Sequence, residues 1–353
     1  MPVLKPEALI ENRVKALKDF HKEAGVPRAE LDLSGGIDSA VMACLLVKAL
    51  GAENVTLVHT IIGTDPKATQ RARDVADALK CPLIVGEFNN IFNLIVGEME
   101  CSLTLAGYNV DEIRRRCVAD RTITGSLRST LRAPLGRAYN RITGGGIRHG
   151  TGNECEDRFL RFYQKGGDGE VDTNPIEMLS KTEVYQLAFA LGKGMYVTAA
   201  LRPIIEVAPS PDLWGIGEGN HKDEDELLKL TGAPFTYGRI DADTGEIVRV
   251  GTIERVSRFL DTEGEYLYGG VYSIEASLFS NDTFGGWRTR EAMMAEAKNS
   301  GCFNGLDDAT ILSLLTAARK CERATRHKSN TNIPTLGTRA SLVESGILTN
   351  TLP

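Results

Sequence analysis

Ser34-Gly35-Gly36-Ile37-Asp38-Ser39 sets two adjacent glycines between two serines, with an acid two places after the glycines. Adjacent glycines let backbone N–H groups approach an anion closely, and serine hydroxyls add further donors. A helix beginning here adds about half a positive charge at its N-terminus. The chemistry that suits this arrangement is the cradling of a phosphate; the plainer reading is a tight strand-to-helix turn with a serine cap. No lysine follows the glycines, so this is not the Gly-Lys-Ser/Thr phosphate loop. A second glycine-rich stretch, Gly150-Thr151-Gly152-Asn153, runs into Glu154-Cys155-Glu156-Asp157. Acids at such a strand end could hold a hard cation such as Mg²⁺, which bridges phosphates, or could simply complement a helix N-terminus. Ser180 and Glu183 have capping-box spacing, which puts Lys181 at the first position of a helix and able to point at a ligand. Arg114, Arg115, Arg116, Arg121, Arg128, Arg132, Arg137, Arg141 and Arg148 occupy a stretch without lysine. Arginine favours bidentate contact with phosphate or carboxylate. Most of these nine are expected on a solvated face, with Arg132 the foremost candidate for the ligand.

These residues must be positioned by a regular scaffold. Residues 6–24 carry Leu9, Ile10, Val14, Leu17 and Phe20 at helical spacing and end at Gly25. Glu30–Leu33 reads as a short buried strand before the glycines. The helix behind them sets Ile37, Val41, Cys44, Leu45 and Lys48 on one face and stops at Gly51. Val55–Ile62 is a second strand, a helix runs from Pro66 to about Lys80, and Cys81–Gly86 is a third strand. Residues 89–106 and 110–140 read as two helices, and a further helix opens at Ser180 and runs to about Gly192. Strands that alternate with helices predict an α/β fold, a doubly wound and mainly parallel sheet flanked by helices. In such sheets ligands sit beyond the carboxyl ends of the strands, where both glycine-rich stretches fall.

The 353 residues suffice for a full core plus an insertion. No apolar run approaches the roughly 20 residues of a membrane span. The N-terminus carries no signal-peptide core, and the seven cysteines are scattered without Cys-x-x-Cys pairs, so a cytoplasmic protein is expected. A net charge of −6 argues against general nucleic-acid binding.

Ser34–Ser39 resembles the pyrophosphate loop of the N-type ATP pyrophosphatases, which cleave ATP between its α and β phosphates. The later stretches narrow this. Gly150–Asp157, Gln164-Lys165-Gly166-Gly167-Asp168-Gly169, Leu179-Ser180-Lys181-Thr182-Glu183, Ala208-Pro209-Ser210-Pro211-Asp212 and Thr325-Arg326-His327-Lys328 together resemble NAD synthetase. The resemblance implies an adenine-nucleotide α-hydrolase-like fold. It also implies an ATP- and Mg²⁺-dependent, C–N bond-forming ligase: ATP adenylates the carboxylate of deamido-NAD, pyrophosphate leaves, and ammonia displaces AMP to give NAD. It assigns Ser34, Gly35, Gly36, Ile37, Asp38 and Ser39 to ATP and pyrophosphate, with Thr151 and Lys181. It assigns Asp38 and Glu156 to the metal, with Asp157 a near alternative. Arg132, Lys165, Asp168, His327 and Lys328 fall to deamido-NAD, and Asp38, Lys181, His327 and Lys328 to catalysis. A homodimer is implied.

Some positions depart from that pattern. Ile61-Ile62-Gly63 replaces a Pro-His-Gly or Pro-Tyr-Gly segment, Gly166 replaces a tyrosine, and Thr130 replaces an arginine. Residues 242–310 are extra, which suggests a core over 1–241, an inserted subdomain, and a return to the core over 311–353. Tyr237–Ile240 and Ile247–Val250 flank a turn-rich stretch and read as a hairpin. Pro2 stands where an N-terminal-nucleophile glutaminase needs cysteine, and Gly301-Cys302-Phe303-Asn304-Gly305 is not a nucleophile elbow. Free ammonia, or ammonia from a separate glutaminase, is therefore expected. The alternatives are amidation of nicotinate mononucleotide and a tRNA-modifying pyrophosphatase.

Overall fold

The computed structural model describes residues 5–154, 156–157, 163–179, 181–193, 198–207, 235–240, 247–253, isolated positions between 291 and 328, and 336–348. Four parallel strands form the central sheet: β1 (Ala29–Asp32), β2 (Val55–Ile61), β3 (Leu83–Glu87) and β4 (Ile147–His149), in the spatial order β3-β2-β1-β4. The chain leaves β1 towards β2 and β3 on one side, then returns to add β4 on the other. The switch in direction lies between β1 and β4, so the crevice for a ligand is at their carboxyl ends. The glycine loop follows β1, and Gly150–Asp157 follows β4.

Side chains alternate across β1. Leu31 and Leu33 enter the apolar core, whereas Glu30 and Asp32 face the opposite way. The core side is covered by α1 (Pro6–Ala24), α2 (Ile37–Leu50), α3 (Pro66–Leu79), α7 (Lys181–Lys193) and α8 (Thr198–Ile205). α2 is not the one-faced helix that its spacing suggests. Ala40, Met42, Ala43 and Leu46 are buried along with Ile37, Val41, Cys44 and Leu45, because α1, α3, α7 and α8 enclose it against the sheet. Each of Met42, Leu45 and Leu46 contributes about 1.5–3 kcal/mol by burial. Only the solvent end escapes, where Lys48 is exposed.

The other face is polar. α6 (Thr122–Ile142) lies here, and Arg148 on β4 bonds both Glu30 and Asp32. Gly136 of α6 makes room for that guanidinium: an added Cβ would stand 1.9 Å from Arg148 Nη1. The expected single helix over 110–140 is in fact two, α5 (Val110–Ala119) and α6. Asp120 breaks it by taking extended backbone (φ −126°, ψ 92°) and accepting the Thr122 N–H at 3.0 Å. α4 (Asn89–Leu105) precedes them, and the three helices expose Leu94, Leu105, Val118 and Ile142. The hairpin is present as β5 (Phe235–Ile240) and β6 (Ile247–Ile253), antiparallel with an irregularity at Tyr237/Gly238. The rest of 242–310 lies mostly outside the described residues. Among the described residues no helix is long and apolar enough to cross a membrane.

Candidate active site

The glycine loop is held by its own serines. Ser39, 2% exposed, donates to the Gly36 carbonyl at 3.1 Å and accepts the Ser34 N–H at 3.2 Å. Its proton being engaged, the 3.0 Å contact between the two hydroxyls has Ser34 as donor. Ser34 Oγ in turn accepts the Gly36 N–H at 3.2 Å. Gly36, rather than a serine, is the N-cap of α2 and makes no side-chain capping bond. Gly35 has φ +84°, and a Cβ there would lie 2.1 Å from the Ala68 carbonyl oxygen, so only glycine fits. Ile37 is buried in the core and offers the loop its main chain alone.

Asp38 stands in the first turn of α2 and reaches across the crevice. Its Oδ1 accepts Asn153 Nδ2 at 3.2 Å, and its Oδ2 accepts the Lys181 ammonium at 2.6 Å. Lys181, only 4% exposed, donates also to Glu156 Oε1 at 2.5 Å. A single cation thus joins a carboxylate from the β1 loop to one from the β4 loop. Lys181 is where the capping-box spacing puts it, at the start of α7; Ser180 lies outside the described residues. Asp157 is turned elsewhere. Its Oδ2 accepts Asn174 Nδ2 at 2.7 Å and packs on Gly152, where a Cβ would stand 2.0 Å away. Burial first, then Asp168, Glu156 and Glu177, push the Asp157 carboxyl well above the usual carboxylate range. Glu156, not Asp157, therefore faces Asp38. Thr151 lies in the loop between β4 and Asn153, partly buried.

A second group adjoins the first. Asp168 Oδ1 accepts Ser129 Oγ at 2.8 Å and the Gln164 N–H at 2.7 Å, which ties the 164–169 turn to α6. One helical turn on from Ser129, Arg132 extends to within 3.4 Å of Thr64 Oγ1, just beyond β2. Lys165 is exposed on the turn. Lys328 Nζ donates to the Tyr163 carbonyl at 2.9 Å and lies 5.5 Å from that ring's centroid. Burial lowers the Lys328 pKa, and Asp168 opposes this. His327 lies outside the described residues.

A family model described as NAD synthase matches residues 9–242. The chain belongs to the NAD synthase family. An NH(3)-dependent NAD(+) synthetase of Methanococcoides burtonii is 31% identical over 264 residues, spanning 73% of this chain and 86% of that protein. Two solved structures share the fold. An NMN synthetase from Francisella tularensis superposes with a TM-score of 0.52 at 24% identity, over 64% of this chain and 82% of its own. An NAD+ synthetase from Burkholderia pseudomallei gives 0.51 at 18% identity, over 93% and 91%.

The arginine-rich stretch divides by depth. Arg114 pairs with Glu100 and Arg116 with Glu112 at the surface, as a solvated face predicts. Arg137 pairs with Asp172 at 2.8 Å. Arg128 is buried over Phe92, 5.2 Å from the ring centroid, and Arg148 is buried on the sheet. Sequence reasoning gave no role to Asn153, whose Oδ1 accepts the Glu156 N–H at 3.1 Å while its amide holds Asp38. The signal was there: an Asn three residues before a Glu has the spacing of a helical cap. Ser129, Tyr163 and Thr64 carry no comparable local mark.

Proposed function

We propose that this chain amidates deamido-NAD to NAD with ATP and ammonia, through an NAD-adenylate, releasing AMP and pyrophosphate. The observation that carries the reading is the Lys181 ammonium between Asp38 and Glu156, at the mouth of a glycine loop on a helix N-terminus. A site of that charge pattern suits a polyphosphate with its counter-cation. A carboxylate resists ammonia until it becomes a mixed anhydride, so the site must favour departure of pyrophosphate and exclude water.

Placement supports the following roles. Ser34, Gly35, Gly36, Ile37 and Ser39 seat the leaving pyrophosphate, with Thr151 beside them. Lys181 is close enough to exchange its carboxylate partners for phosphate oxygens. Arg132, Lys165, Asp168 and Lys328 bind the acceptor, and His327 is assigned to it by the sequence resemblance. Asp38 and Glu156 would hold Mg²⁺. Mg²⁺ is an ion that takes one or two carboxylates and completes its shell with water and substrate phosphate. Its chemistry there is to neutralise charge on the leaving pyrophosphate.

We take residues 1–241 as the catalytic core, supported by the family match ending at 242, with 242–310 inserted and 311–353 returning. We infer a homodimer formed through α4–α6, where Leu94, Leu105, Val118 and Ile142 are 64%, 85%, 63% and 79% exposed. We also propose a cytoplasmic location; among the described cysteines burial pushes Cys44 up to about 12 and Cys81 to about 11, whereas Cys101 is exposed.

The test is product analysis with ATP, Mg²⁺, ammonium and either deamido-NAD or nicotinate mononucleotide. NAD, AMP and pyrophosphate from the dinucleotide are expected. ADP and phosphate would refute the cleavage site, and faster turnover of the mononucleotide would reassign the substrate.

A further inference from the structure

We infer that Arg71 on α3 is a positioning residue for the glycine loop, acting on backbone rather than on phosphate. The inference rests on reading Ser34–Ser39 as the pyrophosphate seat. Arg71 Nε donates to the Gly35 carbonyl at 2.9 Å. One turn earlier, the Ala68 carbonyl fills the space beside Gly35. Between them Thr69 acts through His59: His59 Nδ1 donates to the Leu33 carbonyl at 2.7 Å, which leaves Nε2 to accept the Thr69 hydroxyl at 2.9 Å. Three residues of the first turns of α3 therefore bear on the loop at Leu33 and Gly35.

The consequence follows from peptide planarity. A carbonyl and the next residue's N–H belong to one rigid plane and point in opposite directions. Holding the Leu33 carbonyl on His59 turns the Ser34 N–H inward, where it meets Ser39 Oγ. Holding the Gly35 carbonyl on Arg71 turns the Gly36 N–H inward, where it meets Ser34 Oγ. Bonds on the far side of the loop thus aim both N–H groups inward, where they would exchange their serine oxygens for those of pyrophosphate. Without Arg71 the Gly35–Gly36 plane can rotate, since both residues that flank it are glycines. Donors fixed in advance are what an anion seat requires.

Direct contact with phosphate would depend on the charge of Arg71, whereas positioning depends on its donor. Arg71→Met, Arg71→Gln and Arg71→Lys separate the two, with inorganic pyrophosphate binding measured by calorimetry on the full chain. Loss of one charge-assisted hydrogen bond predicts about tenfold weaker binding for Arg71→Met. Arg71→Gln, a neutral donor, should recover to within about threefold of the parent and exceed Arg71→Lys. In turnover, Arg71→Met should raise KM for ATP and leave KM for deamido-NAD unchanged, a split that general loosening does not produce. Unchanged pyrophosphate affinity in Arg71→Met would overturn the inference, as would recovery by Lys with Gln as weak as Met. Should Arg71→Met not fold, the Gln and Lys variants alone decide between donor and charge. A parent protein that does not bind pyrophosphate would instead overturn the reading of the loop, and the inference with it.

Discussion

Replacing Lys181 with Met removes the cation that joins Asp38 to Glu156 and leaves two carboxylates opposed. Lys181 is 4% exposed, Asp38 15% and Glu156 31%. Breaking a fully buried ion pair by removing one partner costs about 3–5 kcal/mol, and an exposed pair is worth about 0.2–1 kcal/mol. Glu156 is nearly a third exposed, and methionine retains much of the apolar stem, so we expect about 2–3 kcal/mol. At about 2.1 cal/mol/K of unfolding entropy per residue, a chain of 353 residues shifts by about 1.3 °C per kcal/mol, so Tm should fall by about 3–4 °C. The vacated carboxylate pair then becomes a better seat for a divalent cation. Mg²⁺ at ten times its Kd would return about 1.4 kcal/mol, or roughly 2 °C in the variant. The parent, with its ammonium in place, should respond by less than about 1 °C. Thermal unfolding without nucleotide, with and without MgCl₂ at matched ionic strength, reads both effects. An unchanged Tm, or an equal response to Mg²⁺ in both proteins, would refute the bridge as the seat of the cation.

Gly35→Ala sets a Cβ 2.1 Å from the Ala68 carbonyl on a backbone with φ +84°, so the loop must shift. Calorimetry should find pyrophosphate binding weakened by at least about tenfold, the equivalent of 1.4 kcal/mol; parent-like affinity would contradict the loop geometry. His149 is buried 2.9 Å from His21 Nε2, and burial pushes its pKa down to about 3. The unfolded chain takes up that proton near its ordinary pKa of about 6.5, so the stability is full above that pH. It is lost as pH falls towards the folded value, at up to about 1.4 kcal/mol per pH unit. Tm should therefore fall less between about pH 7 and pH 5 in His149→Gln than in the parent, and an equal fall would contradict this. Leu105→Glu combined with Ile142→Glu should convert a dimer into a monomer in sedimentation velocity; a variant that stays dimeric places the interface elsewhere.

The scaffold was legible where sequence and packing agree. β1, the glycine loop and α2 follow from local spacing, and Pro66 opens α3 as expected. The expected single helix over 110–140 failed because periodicity does not register one residue in extended backbone, and Asp120 breaks the helix by capping the next turn. In α2 the spacing set Lys48 on one face with Ile37, Val41, Cys44 and Leu45, whereas Lys48 is exposed and neighbours distant in sequence bury Ala40, Met42, Ala43 and Leu46 as well. In the site, motif residues were recognisable one by one. Their pairing was not: that Lys181 joins Asp38 to Glu156, and that Asp157 turns to Asn174 instead, depends on contacts spanning up to 143 positions. Arg71 and His59 lay outside every motif, since their partners are backbone carbonyls and leave no mark on residue type.

The central claim is that the acceptor carboxylate attacks the α phosphorus of ATP in the seat formed by Ser34–Ser39. Deamido-NAD labelled with ¹⁸O in its carboxylate, turned over with ATP and ammonium, tests it directly. Attack at that phosphorus, followed by displacement with ammonia, transfers one carboxylate oxygen to AMP and leaves pyrophosphate unlabelled. Label in pyrophosphate or phosphate, or unlabelled AMP accompanying NAD, would contradict the account.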